Sequence, residues 1–291
     1  MELSYEKCNL CRRSCGVNRS RGELGYCQMT DEMRVARIAL HMWEEPIISG
    51  ETGSGTVFFV GCSLGCVFCQ NARISRGRNG KIMSVSELSD AMLSLEREGA
   101  LNINFVTPTH FAPSVKESVI LARERGLSIP IVYNTSSYDS VSTLRALSDV
   151  IDIYLADYKF YMPKTADELA AAENYPDASL DAIREMVRQK PSTVIENGIM
   201  KSGVIVRVLL LPSRVAEAKL IVKRLYTEFG DKIYISLMSQ YTPMPNMKPP
   251  LDRRVTHAEY EELVSYAEKI GVKNGFTQEW GCADESFIPP F

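Results

Sequence analysis

The stretch Gly61-Cys-Ser-Leu-Gly-Cys-Val-Phe-Cys-Gln70 sets Cys62, Cys66 and Cys69 in a Cys-x3-Cys-x2-Cys pattern, directly after the apolar run Thr56–Val60. Thiolates in so short a loop can all point at one centre. A fourth would close a tetrahedral zinc site or fill the last iron of a cubane cluster. Without it one metal position stays open to a further ligand, and an open position is where chemistry takes place. The alternatives are buried free thiols or a disulfide. Three clustered cysteines cannot pair off among themselves. The start, Met-Glu-Leu-Ser-Tyr-Glu-Lys-Cys, carries no apolar secretory segment, so a reducing, cytoplasmic setting is expected.

Seven of the eight cysteines lie before residue 70. Cys8, Cys11, Cys15 and Cys27 form a second group, Cys-x2-Cys-x3-Cys-x11-Cys, interspersed with Gly16, Gly22 and Gly25. Four thiolates would satisfy a structural zinc or hold an auxiliary iron–sulfur cluster. The segment is too short and too poor in apolar residues for a core of its own, so a metal staple is the expectation. Four reduced thiols in a partly ordered arm is the alternative. Arg12, Arg13, Arg19 and Arg21 accompany them, diluted by Glu23, Asp31 and Glu32. They read as a solvated surface, with an acidic partner as the second reading. Residues 1–50 are therefore taken as a cysteine-rich extension and 51–291 as the main domain.

In the main domain, short apolar runs alternate with amphipathic segments. The strands expected are 56–60, 102–106, 130–134, 151–156, 203–211 and 232–237. The helices expected are 84–98, 113–125, 141–147, 180–188, 215–229 and 256–270. Ser84-x-x-Glu87 and Thr256-x-x-Glu259 are capping boxes, and Val85, Leu88, Met92 and Leu95 recur at helical spacing toward a sheet. This alternation argues for an α/β fold with a parallel sheet. Residues 158–178 and 239–255 read as long connections beyond strand ends. With 45% apolar and 24% charged residues a core and a soluble surface are both available, and a net charge of −3 argues against a nucleic-acid partner. No apolar stretch is long enough for a membrane span.

The cysteine loop, with Phe68 before its third cysteine, resembles that of the radical S-adenosylmethionine (SAM) superfamily, and within it the uncharacterised relatives of pyruvate formate-lyase activating enzyme. The resemblance covers about residues 55–245; the cysteine-rich leader lies outside the activating enzyme's basic pattern. It implies a partial (β/α)6 TIM-like barrel with the active site at the C-terminal strand ends. It implies an oxidoreductase in which Cys62, Cys66 and Cys69 hold a [4Fe–4S] cluster, SAM occupies the open iron, and one electron yields a 5′-deoxyadenosyl radical that abstracts hydrogen. Flavodoxin or ferredoxin would be the reductant, and a glycine of a partner protein the substrate.

The same resemblance suggests roles at the other strand ends. Phe68 would pack against adenine. Thr107-Pro-Thr109-His110 stands where the superfamily commonly has a Gly-Gly-Glu-type stretch, leaving Thr107 and Thr109 as acceptors for SAM. His110 is a proton carrier or a hydrogen-bond partner. Asn134, Thr135 and Ser136 replace an Asp-Thr-Asn-like stretch near SAM, with an Asx/Ser turn as the alternative. Asp157 and Lys159 match an Asp-x-Lys stretch and are the catalytic candidates. Arg207 lies among aliphatics and must face a carboxylate, of SAM or of the protein. Gln240 is placed near adenine by position. Trp280 and Cys282 are left unassigned, Cys282 as substrate-facing or an inert thiol. Competing functions are radical modification of another protein or small molecule, and a non-enzymatic zinc or iron–sulfur interaction module.

Overall fold

A computed structural model describes residues 3–278, so Trp280 and Cys282 lie outside the described residues. The strands are β1 (Arg34–His41), β2 (Ser54–Phe59), β3 (Lys81–Ile82), β4 (Ile103–Val106), β5 (Ile131–Thr135), β6 (Ile153–Asp157), β7 (Val194–Glu196), β8 (Ile199–Leu209), β9 (Tyr234–Met238) and β10 (Gly275–Thr277). The helices are α1 (Pro46–Ser49), α2 (Ala72–Ser75), α3 (Val85–Arg97), α4 (Ala112–Glu124), α5 (Val141–Ala146), α6 (Pro163–Ala170), α7 (Tyr175–Gln189), α8 (Val215–Phe229) and α9 (His257–Lys269).

One ten-stranded sheet runs in the order β10-β9-β8-β6-β5-β4-β2-β1-β3, with β7 paired to β8. From β2 to β10 the neighbours on that path are parallel. The order does not return on itself, so the sheet is an open, partial barrel of α/β type. Its six expected strands are β2, β4, β5, β6, β8 and β9. Both capping boxes form, at Ser84–Glu87 and Thr256–Glu259. In α3, Leu88, Met92 and Leu95 are buried while Val85 is only half-buried.

Strand alternation divides the core into two. Outward residues such as Tyr154, Val204 and Val206 pack under the helices. Inward residues Val132, Ile153, Leu155 and Ile205 meet Ile48 of α1 and Met200 in a small inner cluster. Thus α1, from the segment before the first parallel strand, plugs the barrel interior. Asn102 fixes it by donating to the Ile48 carbonyl at 2.8 Å.

The sequence reading passed over several elements. β1 extends the sheet antiparallel to β2. α6 lies within the stretch read as a connection; Pro163 at its first turn and Ala166, Leu169 and Ala170 on its buried face were the signal. The β7–β8 hairpin turns at Asn197-Gly198, both with positive φ (51° and 79°), the pair that such tight hairpins favour.

Candidate active site at the C-terminal strand ends

A cavity of about 490 Å³ opens where the parallel strands end, a size suited to a small-molecule ligand. Cys62, Cys66 and Cys69 line it from the loop after β2, with Phe68 beside them. Phe68 is buried and meets Phe160 and Tyr241 edge-on, each at 6.1 Å between ring centres. Burial raises the Cys62 and Cys66 thiols above their ordinary range. As proton carriers these would be inert; as metal ligands they would have to surrender their protons on binding.

Across the cavity lies a buried ionic network. The Arg207 guanidinium donates from Nε to Asp157 Oδ1 at 2.8 Å, from Nη1 to Glu44 Oε2 at 3.2 Å and from Nη2 to Asn134 Oδ1 at 2.5 Å. Lys159 Nζ donates to the second Asp157 oxygen at 2.6 Å. Asn104 Nδ2 donates to Glu44 Oε1 at 2.8 Å. Burial pushes the Asp157 carboxyl up, but Arg207 and then Lys159 more than offset it and hold the group below the ordinary carboxylate range. Burial lowers Lys159, and Asp157 and Cys66 outweigh it, so the ammonium stays charged. Glu44 goes the other way: burial dominates over Arg207 and Asn104 and raises it.

The strand register explains these meetings. Asp157 and Arg207 are partners in the β6–β8 ladder, so both face inward at one level. Glu44 reaches them from the segment leading into the α1 plug. Its role was not read from the sequence, where two carboxylates ahead of Pro46 in an otherwise apolar stretch (Met42-Trp43-Glu44-Glu45-Pro46-Ile47-Ile48) were the available signal.

Thr107, Asn134, Thr135, Ser136 and Gln240 also line the cavity. Thr107 does so in a left-handed conformation, φ 57°. Gln240 is tied by its carbonyl to Gln70 at 2.9 Å and by its side chain to Gln278 at 2.8 Å. Thr109 is not brought there. Its hydroxyl donates to Asp139 at 2.7 Å, alongside Tyr133 and Thr135, in a buried cluster of which Thr135 alone also lines the cavity. His110 is likewise buried away from the site, its Nε2 bonded to the Val60 carbonyl at 2.7 Å. Burial, then the charge of Arg19, pushes it down to about 3. It is a neutral hydrogen-bond partner, not a proton carrier.

The cysteine-rich segment packs against the back of the cysteine loop. Gly61 has φ 89°, and a Cβ there would sit 2.9 Å from the Cys27 carbonyl oxygen, so only glycine lets the two chains approach. Arg19 of this segment is fully buried. It donates to the carbonyls of Met29, Thr30 and His110 and stands 3.9 Å from Cys8 Sγ. Among the described residues it forms no ion pair with a carboxylate. Burial first, then Cys27, Cys8 and Cys15, push the Cys11 thiol up to about 12.

Among the described residues no three thiol, imidazole or carboxyl groups converge tightly enough for one metal ion. A cubane bonds each thiolate through a different iron, so its ligands stand wider apart than those of a single ion. The cavity-lining tripod Cys62, Cys66, Cys69 turns three thiols toward one space, the donor set such a cluster takes.

Four likenesses accompany this geometry. The family model described as the Radical SAM superfamily matches residues 56–200. An uncharacterised protein of Methanocaldococcus jannaschii is 28% identical over 279 residues, covering 92% of this chain and 76% of that one. Among solved structures, SuiB of Streptococcus suis bound to S-adenosylmethionine superposes with a TM-score of 0.53 at 13% identity, over 75% of this chain and 48% of its own. Methylornithine synthase gives 0.52 at 16% identity, over 73% of this chain and 62% of its own. The chain thus spans about half to three-fifths of these structures, and at such identities the likeness is one of fold. SuiB has also been solved bound to its precursor peptide.

Proposed function

The chain belongs to the radical SAM superfamily, and we propose that it cleaves SAM reductively and removes a hydrogen atom from a peptide or protein substrate, in the manner of an activating enzyme. The observation that carries this is the shared cavity: three cysteine thiols on one wall and the Asp157–Lys159–Arg207 network on the other. A [4Fe–4S] cluster held by Cys62, Cys66 and Cys69 would supply the electron that splits the sulfonium.

The chain's own residues do the rest. Phe68 and Tyr241 form an apolar wall beside the thiols, backed by Phe160. Lys159 presents positive charge suited to the carboxylate of SAM, and Arg207, whose fork is taken by Asp157, Glu44 and Asn134, holds that wall in place. Asn134, Thr107, Ser136 and Gln240 offer hydrogen bonds to the nucleoside. An extended substrate is supported by Met42 and Trp43, both exposed where they line the cavity, and by SuiB, which takes a peptide on a similar fold. Flavodoxin or ferredoxin is the reductant in this reading.

For the N-terminal segment the reading is a metal–thiolate centre, zinc or iron–sulfur, on Cys8, Cys11, Cys15 and Cys27, whose thiols do not converge on one point in this structure and would close around the metal on binding. An arginine buried without a carboxylate needs a compensating anion, and the nearby thiols supply one when they bind metal as thiolates. Metal analysis of a Cys62→Ala/Cys66→Ala/Cys69→Ala protein tests this. Retained zinc or iron supports the centre, and a metal-free protein removes it.

The enzyme is tested by anaerobic reconstitution. About four irons and four sulfides per chain at the three-cysteine loop are expected, with 5′-deoxyadenosine formed after reduction. Deuterium transfer from labelled candidate proteins into that product would identify the substrate. Zinc binding with SAM left intact would instead favour a non-enzymatic module.

A further inference from the structure

The spacer between Cys62 and Cys66 is Ser63-Leu64-Gly65, and the carbonyl of each of these residues is held from outside. Arg13 Nε donates to the Ser63 carbonyl and Nη2 to that of Leu64, each at 3.0 Å. Tyr26 Oη donates to the Leu64 carbonyl at 3.2 Å. Arg76 Nη2 donates to Gly65 at 2.6 Å and to Tyr26 Oη at 3.2 Å. The Arg13 guanidinium lies over the Tyr26 ring at 3.6 Å. It also reaches the carbonyls of Ala170, the last residue of α6, and of Ala171 just after it. Arg13 sits between Cys11 and Cys15, and Tyr26 directly before Cys27. The cysteine-rich segment therefore delivers two of the three side chains that grip the loop.

The consequence lies in the other end of each peptide unit. A trans peptide points its N–H opposite to its C=O. With the Ser63 carbonyl drawn outward to Arg13, the Leu64 N–H turns inward and meets Cys62 Sγ at 3.4 Å. The next peptide is held in the same way: its Leu64 carbonyl is gripped by Arg13 and Tyr26, which fixes the direction of the Gly65 N–H.

We infer that Arg13 and Tyr26 are positioning residues for the cluster: they fix the spacer peptides so that amide dipoles bear on the Cys62 sulfur and set the cluster's reduction potential. This rests on the assignment of Cys62, Cys66 and Cys69 as cluster ligands. Hydrogen bonds to ligand sulfur and nearby cations favour the more negative, reduced state and raise the potential. The segment thereby makes the cluster easier to reduce, whatever it binds itself.

The test is the cluster's midpoint potential in reconstituted protein, read by spectroelectrochemistry and by the signal of the reduced cluster. Arg13→Gln removes the charge and the fork, Arg13→Lys keeps the charge, and Tyr26→Phe removes the hydrogen bonds to Leu64 and from Arg76 while keeping the ring. Arg184→Gln, in a surface pair with Glu228, is the control. With iron content equal to wild type, Arg13→Gln should shift the potential negative, with a tenfold lower reduced-to-oxidised ratio at fixed potential (about 59 mV for one electron). Arg13→Lys and Tyr26→Phe should fall between it and wild type, and the control should not move. If Arg13→Gln does not fold, the two milder variants decide by the same shift. Wild-type potentials in all the iron-loaded Arg13 and Tyr26 variants overturn the inference. A wild-type chain that never takes iron at the three-cysteine loop overturns the cluster assignment instead.

Discussion

Arg207 and Asp157 stand opposite one another in a parallel ladder, with Nε 2.8 Å from Oδ1, both inside the barrel and both largely buried. Glu44 and Asn134 occupy the rest of the guanidinium fork. Removing one member of such a group costs more than the pair contributes, because the remaining charges are left without a partner. Arg207→Met is expected to lower unfolding free energy by about 3–5 kcal/mol in denaturant titration. A loss below about 1 kcal/mol, typical of an exposed pair, would contradict this account.

Cys66→Ala leaves two thiols on the cavity wall. Reconstituted protein should carry far less iron at this loop and form no 5′-deoxyadenosine on reduction. Full cleavage by this variant would remove Cys66 from the assigned ligand set.

Phe68 fills the space between Phe160 and Tyr241. Phe68→Ala should cost about 3–5 kcal/mol of stability, the usual range for emptying a buried aromatic site. It should also weaken SAM binding in equilibrium dialysis. Phe68→Leu, which refills most of the volume, should recover most of the stability. If both variants lose SAM equally, the ring face itself contributes to binding.

His110 links stability to pH. Its pKa is near 3 when folded and about 6.5 when unfolded. A depressed folded value means the unfolded chain binds the proton first. Stability is therefore undiminished above about 6.5 and falls by roughly 1.4 kcal/mol per unit as pH drops through the window toward 3. Urea midpoints at neutral and mildly acid pH should diverge in wild type and converge in His110→Gln. Equal pH slopes in both would refute the assignment.

Much of this architecture was legible in local patterns. The run at Asn102–Val106 contains β4, and the run at Gly203–Leu211 overlaps β8, which already begins at Ile199. The boxes at Ser84 and Thr256 cap the helices they announce. Less was visible where the signal is short or shared with loops. β1 (Arg34–His41) carries no clean alternation of burial, and α6 is only eight residues long. Thr109 stands just beyond Thr107 at the same strand end, yet a 3-10 turn carries it to Asp139 and away from the cavity.

The chain's own order of residues determined the cysteine tripod, the crossover units and the inward alternation of Asp157 with Lys159, because these depend on neighbours a few positions apart. Tertiary structure decided the company those groups keep. Glu44 meets Arg207 across 163 positions, and Arg13 grips Ser63 across 50. Such meetings follow from which strand ends the sheet order makes adjacent and where the plug and the leader fold back. No local spacing encodes a distance that is set only when the barrel assembles.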